Sequence, residues 1–258
     1  MHPTLFHLGS FEITSFGAMV ALGAALGILL LRRELRRAGL DGAKGTDIAL
    51  VGVLGGLAGA KLLYVVEHWA EPLASTLLSR GGMSWFGGLT GGVLAGIAMI
   101  VWQRLPLMAV LSAAAPALAL GQGIGRIGCF LVGDDYGRPT GLPWGIAFPE
   151  GLPPTIERVH PTQLYESAWL LVMTGVFIAL RRRQVADRAV FGWYLVSAGA
   201  MRFLIELVRV NEVVFLGLTT AQVFSIVIVV AGAWLLVTRS RKAVAAPAAA
   251  GKRRAAGR

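Results

Sequence analysis

The sequence predicts an all-α integral membrane protein, and three of its features indicate that class. The chain of 258 residues is 55% hydrophobic and only 15% charged, well below the roughly 25% of charged residues in soluble domains. Its mean hydropathy is +0.67. The apolar residues gather in blocks of about 20, the length of helix that crosses a hydrocarbon core. Several blocks are apolar on all sides, as expected of helices surrounded by lipid and other helices.

Seven such blocks predict seven transmembrane helices, with the N-terminus outside and the C-terminus in the cytoplasm. The predicted spans are 14–31, 47–66, 86–103, 107–125, 164–180, 189–208 and 218–238. Most basic residues fall in one set of loops and in the tail, whereas only Arg80, Arg138 and Arg158 clearly fall in loops on the other side. Basic loops stay in the cytoplasm, so this asymmetry predicts the orientation.

Residues 1–238 therefore form one predicted polytopic domain, and residues 239–258 form a basic tail that is expected to be disordered. The longest loop, at about 126–163, is rich in glycine, proline and aromatic residues, which indicates a functional segment on the periplasmic side. The net charge of +10 does not indicate nucleic-acid binding, because the charges flank apolar blocks and form no soluble basic face.

Ionisable residues gather near the outer ends of the predicted spans, where charged groups usually mark function. Lys61, Arg126, Arg202 and Arg209 belong to three spans and have few acidic residues around them. Arginine matches phosphate oxygens with a bidentate fork, so these residues predict a site for an anionic lipid. Arg202 and Glu206 are four apart and are expected to pair on one helix face. The alternative is a purely structural ion pair, with Arg209 reaching the headgroups.

Two further segments supply candidate site residues. The glycine-rich stretch 121–137 includes Gly125 and Gly128, which are expected to let the backbone approach an anion. Asp134 and Asp135, in the same stretch, either lie in the site or hold the outer loop by pairing with Arg138. The stretch also holds Cys129, the single cysteine of the chain, so neither an intrachain disulfide nor a multi-cysteine metal site is possible.

The second segment is HPTQLYE at 160–166, at the mouth of the fifth span. A neutral imidazole at His160 can accept a proton from a nucleophile; the alternative is a histidine that only orders the loop. Gln163, Tyr165 and Glu166 are expected either to orient His160 or to cap the helix.

These segments resemble the motifs of the bacterial prolipoprotein diacylglyceryl transferases. The resemblance lies in HPTQLYE, in GRIGCFLVGDDYG (125–137) and in RFLIELVR (202–209), and it extends to GAKLLYVV (59–66), MSWFGGLTGG (83–92) and AQVFS (221–225). It covers almost the whole chain in the right order.

The resemblance implies an enzyme of the bacterial plasma (inner) membrane that needs neither a metal nor another cofactor. It implies two substrates, phosphatidylglycerol and the lipobox cysteine of a prolipoprotein signal peptide, whose thiol receives the diacylglyceryl group. It further implies that Arg126 binds the headgroup and that Arg202 stabilises charge at the reacting centre. Together with the residue-level reasoning, it predicts catalytic roles for His160, Arg202 and Glu206, and lipid-binding roles for Arg126, Lys61, Arg209, Gly125, Gly128, Asp134, Gln163, Tyr165 and Glu166.

The chain departs from the family pattern at four positions. Phe86 stands where the pattern has a histidine before paired glycines, and Cys129 stands where it has an asparagine. Ala198 stands where the pattern has a tyrosine, and the pair Phe16-Gly17 stands where a Tyr-Gly pair is usual. Phenylalanine and alanine cannot exchange protons, so His160 or Asp134 must substitute if the missing groups act as the base. The rival hypothesis is a paralogue that binds anionic phospholipid without transfer to a protein thiol, either as a lipid-binding or transport module or with another acceptor.

Overall fold

The computed structural model describes residues 4–8, 11–78 and 82–238, and helices dominate it. Seven helices in this part of the chain are long and apolar enough to cross a membrane, which confirms the predicted number. They are α1 (Ser15–Arg37), α2 (Gly42–Glu67), α4 (Trp85–Trp102), α5 (Leu107–Val132), α6 (Thr162–Arg182), α7 (Asp187–Glu206) and α8 (Thr220–Val237). A short helix, α3 (Leu73–Leu78), lies between α2 and α4. The predicted tail at 239–258 lies outside the described residues.

Three antiparallel strand pairs adjoin the helices, and the sequence did not predict them. β1 (Thr4–Leu8) pairs with β2 (Phe11–Thr14), β3 (Ile146–Phe148) pairs with β4 (Thr155–Val159), and β5 (Val213–Phe215) pairs with β6 (Leu218–Thr219). Each hairpin adjoins helix ends that the predicted topology assigns to the outer side, so the three hairpins border the same face as the candidate site.

Side-chain caps fix several helix starts. The Thr14 hydroxyl accepts a hydrogen bond from Gly17 N at 3.1 Å, and the Asp41 carboxylate accepts one from Ala43 N at 2.8 Å. Thr219 and Gln222 form a reciprocal capping box at the start of α8. Such caps satisfy N–H groups that have no partner within the helix, and they explain why α2 begins at Gly42, five residues before its predicted start.

Glycines hold α2 and α4 together. A Cβ atom on Gly59 would lie 2.4 Å from Gly87 O, and one on Gly91 would lie 2.4 Å from Gly55 O. The two backbones therefore touch, as small residues allow in transmembrane helix pairs. This contact positions Lys61 and the outer end of α2 beside the start of α4.

Helix α5 is the central element, and it is longer than predicted. The predicted span ended at residue 125, but the helix continues to Val132 and ends at Gly133, which adopts a left-handed conformation with φ of 73°. The reason is that an apolar environment offers peptide groups no water, so the helix satisfies them internally. The glycine-rich stretch is therefore mostly helical, and Arg126 projects from a rigid helix and not from a loop.

Candidate functional site

Arg126, Glu166, Arg202 and Glu206 join the outer ends of α5, α6 and α7. The Glu166 carboxylate forms one ion pair with Arg126 Nε and a second with Arg202 Nη1 at 3.2 Å. Arg202 Nη2 also lies 2.8 Å from Glu206 Oε2, which confirms the predicted pair within α7. The side chains of Glu166 and Glu206 are only 3% and 0% exposed, whereas those of Arg126 and Arg202 are 25% and 29% exposed. The acids therefore lie beneath the arginines.

Asp135 extends this arrangement beyond the helices. One carboxylate oxygen accepts from Arg126 Nη1 at 2.7 Å and the other from Arg209 Nη2 at 2.5 Å. The Asp135 carbonyl accepts from Arg209 Nη1 at 3.0 Å and from the Thr162 hydroxyl at 2.6 Å. Burial raises the pKa of Asp135, but hydrogen bonds and charge from Arg209 and Arg126 outweigh that effect and lower it to about 2. Asp135 is therefore ionised at physiological pH.

The result is one alternating chain of charges, which we call the outer cluster. Its members, in order of contact, are Arg209, Asp135, Arg126, Glu166, Arg202 and Glu206. The expectation of basic residues with few acids nearby is wrong, because each arginine has a carboxylate partner and the formal charges cancel. An unpaired charge in a medium of low dielectric is costly, so the fold supplies acids from other elements.

The outer cluster still leaves hydrogen-bond donors available. Among the described residues, no acceptor contacts Arg126 Nη2 or Arg202 Nε. Because both side chains are partly exposed, these donors can reach a group outside the protein. A carboxylate beneath an arginine also fixes the guanidinium plane, which suits recognition of a planar or tetrahedral oxyanion.

Sequence reasoning considered both Asp134 and Asp135 but included only Asp134 among the predicted lipid-binding residues, because nothing in the sequence separates the two. The structure separates them clearly. Asp135 has φ of 61° and turns toward Arg126 and Arg209, whereas Asp134 makes no ion pair among the described residues. Arg138, the alternative partner considered for the aspartates, instead donates its Nε to Arg209 O at 3.2 Å.

Asp134 lies beside Cys129. The Cys129 sulfur and one carboxylate oxygen from each of Asp134 and Asp135 all lie within 4.8 Å of one another. Gln163 Nε2 donates to the Asp134 carbonyl, which fixes this loop to the start of α6. Burial and the neighbouring Asp135 raise the pKa of Asp134, despite the opposing effects of Cys129 and the arginines.

His160 belongs to an aromatic group next to the outer cluster. Its Nδ1 lies 3.3 Å from the Tyr165 hydroxyl, which accepts a hydrogen bond from Trp144 Nε1 at 2.8 Å. In the backbone, His160 O accepts a hydrogen bond from Gly137 N, and His160 N donates one to Arg138 O. None of the contacts described for the His160 side chain involves an arginine. The interpretation that His160 orders the loop therefore has direct support, and its role as the base remains a prediction.

The remaining predicted residues have separate surroundings. Lys61 Nζ donates to Gly82 O at 3.1 Å and lies 5.6 Å from the centre of the Tyr64 ring. A Cβ atom on Gly128 would lie 3.0 Å from Met19 Cβ, so this glycine packs α5 against α1, and the lipid-binding role of its backbone stays a prediction. A Cβ atom on Gly125 would meet nothing within 4 Å, so space is open beside Arg126.

Comparison with known proteins identifies the family. The family model described as prolipoprotein diacylglyceryl transferase matches residues 3–238. The chain belongs to this family. Similar proteins named phosphatidylglycerol–prolipoprotein diacylglyceryl transferase include one from Clostridium tetani, 30% identical over 94% of this chain and all of the relative. Another, from Synechococcus elongatus, is 32% identical over 98% of this chain and 94% of its own length. A third, from Geobacter sulfurreducens, is 34% identical over 80% of this chain and 82% of its own length.

Two of the positions that depart from the pattern of the transferase family, Phe86 and Phe16, have no polar side chain among the neighbours described here. The Phe86 ring lies edge-on to Trp85 at 5.2 Å and to Phe224 at 6.1 Å, so it joins α4 to α8 by aromatic contact. Phe16 packs near the Gly128 backbone. A proton acceptor for a transferase reaction in this chain must therefore come from another position.

Proposed function

We propose that this chain transfers the diacylglyceryl group of phosphatidylglycerol to the thiol of a prolipoprotein cysteine. Membership of the transferase family supports this function, and so does the name shared by relatives that align over almost the whole chain. The rival hypothesis of a lipid-binding paralogue is not favoured, because nothing among the described residues or the comparisons indicates a different activity.

The observation that carries the proposal is that Arg126 Nη2 and Arg202 Nε have no acceptor among the described residues. Glu166 pairs with both side chains, so the two guanidinium groups lie together at the outer ends of three helices. A phosphodiester placed there receives charge-assisted hydrogen bonds from both arginines. The open space beside Gly125 leaves room for the headgroup next to Arg126.

The same arrangement suits the chemistry. The cysteine thiolate attacks the glycerol carbon that bears the phosphate ester, a carbon–sulfur bond forms, and the carbon–oxygen bond to the phosphate breaks. Negative charge grows on the departing glycerol phosphate, so fixed arginines stabilise the transition state more than the ground state. In this scheme Arg126 binds the phosphate, Arg202 stabilises the developing charge, and Arg209 acts through Asp135 to position Arg126.

Glu206 has a positioning role in this scheme. One of its oxygens lies near Arg202, and the other accepts hydrogen bonds from Asn211 at 2.5 Å and from Thr219 at 2.8 Å. These contacts tie Arg202 to the base of the β5–β6 hairpin, so we expect loss of Glu206 to displace Arg202. The proton acceptor for the thiol is either His160 or Asp134, the two candidates of the sequence.

The proposed location is the plasma (inner) membrane of a bacterium, with the outer cluster in the outer half of the bilayer. Seven apolar helices make the chain a multi-pass membrane protein. The excess of basic residues in the opposite loops supports this orientation. The proposed acceptor is the lipobox cysteine of a secreted preprotein, which reaches the outer leaflet after translocation.

A transfer assay tests the proposal. Purified protein is incubated in detergent with phosphatidylglycerol and a lipobox peptide, and the peptide is examined by mass spectrometry for a diacylglyceryl thioether. We expect modification at the cysteine with wild-type protein and none with an alanine-for-cysteine peptide. Protein that binds phosphatidylglycerol yet modifies no cysteine peptide would overturn the proposal in favour of the lipid-binding paralogue.

A further inference from the structure

We propose that Asp134 is the catalytic residue that accepts the proton of the incoming thiol. This inference rests on the proposed transferase function and adds to it the identity of the base. The arginines of the outer cluster are always protonated and cannot take the proton, and Phe86 and Ala198 have no group that can.

A proton acceptor is required because a free thiol is mostly protonated at neutral pH. With a pKa near about 8.5, only about 3% of a cysteine is thiolate at pH 7. A base in contact with the thiol as it attacks removes this limit, and such catalysis typically contributes about 10²–10⁴-fold in rate.

The surroundings of Asp134 leave its side chain available for this task. The loop that carries it is held by its backbone, since Asp134 N donates to Cys129 O at 3.2 Å and Gln163 donates to the Asp134 carbonyl. Cys129 is a hydrogen-bond partner of the Asp134 carboxylate, yet the buried oxygen Oδ1 of that carboxylate has no hydrogen-bond partner among the described residues. A buried carboxylate oxygen without a donor is costly, and an incoming S–H group would supply that donor.

The neighbouring Asp135 differs from Asp134 in that arginines bind its carboxylate. Both carboxylates follow the end of α5, but Asp135 is bound by Arg126 and Arg209, which keeps its pKa near 2 and prevents it from holding a proton. The pKa of Asp134 is raised from its ordinary value, because burial outweighs the pull of the same arginines. Two adjacent aspartates are therefore adapted to opposite tasks, one as a fixed anion and one as a proton acceptor.

The location of Asp134 also favours it over His160. One Asp134 carboxylate oxygen lies within 4.8 Å of an Asp135 carboxylate oxygen, and Asp135 contacts both Arg126 and Arg209, so Asp134 lies near the proposed phosphate site. The side-chain contacts described for His160 are with Tyr165, which accepts from Trp144. A base must be near both the thiol and the carbon under attack, and Asp134 meets this requirement better.

The step balances without another reactant. The thiol proton passes to the Asp134 carboxylate while sulfur forms its bond to the glycerol carbon. The electron pair of the breaking carbon–oxygen bond goes to the phosphate oxygen, which leaves as glycerol phosphate. The proton on Asp134 then passes to this phosphate or to water, and the carboxylate is restored.

The test is the pH dependence of transfer by Asp134→Asn, a variant of almost identical shape. We expect its rate at pH 7 to fall by about 10²–10⁴-fold while its binding of phosphatidylglycerol persists. Between pH 7 and 9 the thiolate fraction of a free cysteine rises roughly 25-fold, so the rate of the variant should rise in proportion and the wild-type rate much less. Asp134→Glu should recover part of the activity. Glu157→Gln, an exposed change on β4, is the matched control.

Three outcomes would overturn the inference. The first is an Asp134→Asn variant with near wild-type activity at pH 7. The second is a loss that stays constant from pH 7 to 9, which would indicate a structural role. The third is that His160→Gln, and not Asp134→Asn, shows the loss that high pH reverses. In each case wild-type protein still modifies the peptide, whereas failure of the proposed function would appear as no transfer by the wild type.

Discussion

The two ends of α6 each hold buried ion pairs, and the two groups use their arginines differently. At the start of α6, Glu166 supports Arg126 and Arg202, whose guanidinium groups keep donors without partners and are a quarter or more exposed. Near its other end, Arg181 is 8% exposed and its carboxylate partner Glu34 is 1% exposed.

Every nitrogen of the Arg181 guanidinium has a partner. Nε and Nη2 donate to the side chain and the backbone of Glu34 at 2.9 and 3.1 Å, and Nη1 contacts Ser112 and Asp187. We call these residues the inner cluster; it joins α1, α5, α6 and α7. An arginine with a partner at every nitrogen holds helices together here, whereas one with a nitrogen that has no partner is prepared for a ligand.

Among the changes that test this comparison of the two clusters, the largest effect is expected from Arg126→Ala. Loss of a fixed donor at a developing oxyanion typically costs about 10²–10³-fold in rate, and Arg126→Lys should recover little, because an ammonium cannot form the bidentate contact. Phosphatidylglycerol binding should weaken as well, and native mass spectrometry measures this as the amount of lipid that stays bound to the protein. Arg158→Ala, which removes an exposed arginine from β4, is the control. Full activity in a well-folded Arg126→Ala protein would remove Arg126 from the site.

Arg181→Met should give the opposite result. It leaves the buried Glu34 with Arg37 as its ion-pair partner, and breaking a buried pair on one side typically destabilises a protein by about 3–5 kcal/mol. A lower temperature of unfolding in detergent is the expected readout, with little change in activity per folded molecule. The neighbouring exposed change Arg182→Met should alter neither. An unchanged unfolding temperature for Arg181→Met would show that the inner cluster is not structural.

Asp135→Asn should have an intermediate effect and a specific dependence on pH. Without its charge, Arg126 and Arg209 lose a shared anchor, and misplacement of a catalytic group commonly costs about tenfold to a hundredfold. The folded pKa near 2 lies below the ordinary value of about 3.9. The stabilisation from Asp135 is therefore complete above the ordinary value and is lost as the pH falls toward 2.

Thermal unfolding of wild type and Asp135→Asn at several pH values checks this prediction. The difference between them should be constant from pH 5 to 8 and should shrink toward pH 2. A difference that already disappears near pH 6 would contradict the described ion pairs.

The smallest effect is expected from Cys129→Ser. The proposed acceptor thiol belongs to the preprotein, and a serine hydroxyl can still donate to Asp134, so the transfer rate should fall by no more than about threefold. The same peptide assay measures it. Complete loss of transfer would instead indicate that Cys129 forms a covalent thioether intermediate.

The sequence predicted what depends on local pattern. Blocks of apolar residues predicted seven helices, and the spacing of four between Arg202 and Glu206 predicted their pair, because each depends on helix geometry alone. The resemblance predicted the family. The orientation across the membrane stays a prediction.

What the sequence could not predict depends on contacts between distant segments. Asp135 and Asp134 look alike in the chain, and only the turn after Gly133 directs one of them to Arg126 and Arg209. Arg181 looked like one of many cytoplasmic charges, because Glu34 is 147 residues away. Residues 126–132 were predicted to belong to the long loop because this stretch is rich in glycine, whereas a nonpolar environment favours helix there.

The most direct test of the comparison is thioether formed per mole of folded protein, measured side by side for wild type, Arg126→Ala and Arg181→Met. We expect Arg181→Met to form nearly as much thioether as wild type, since its defect is in stability, and Arg126→Ala to form almost none. Equal losses in the two variants, or a loss confined to Arg181→Met, would contradict the assignment of ligand binding to the outer cluster and of structural support to the inner one.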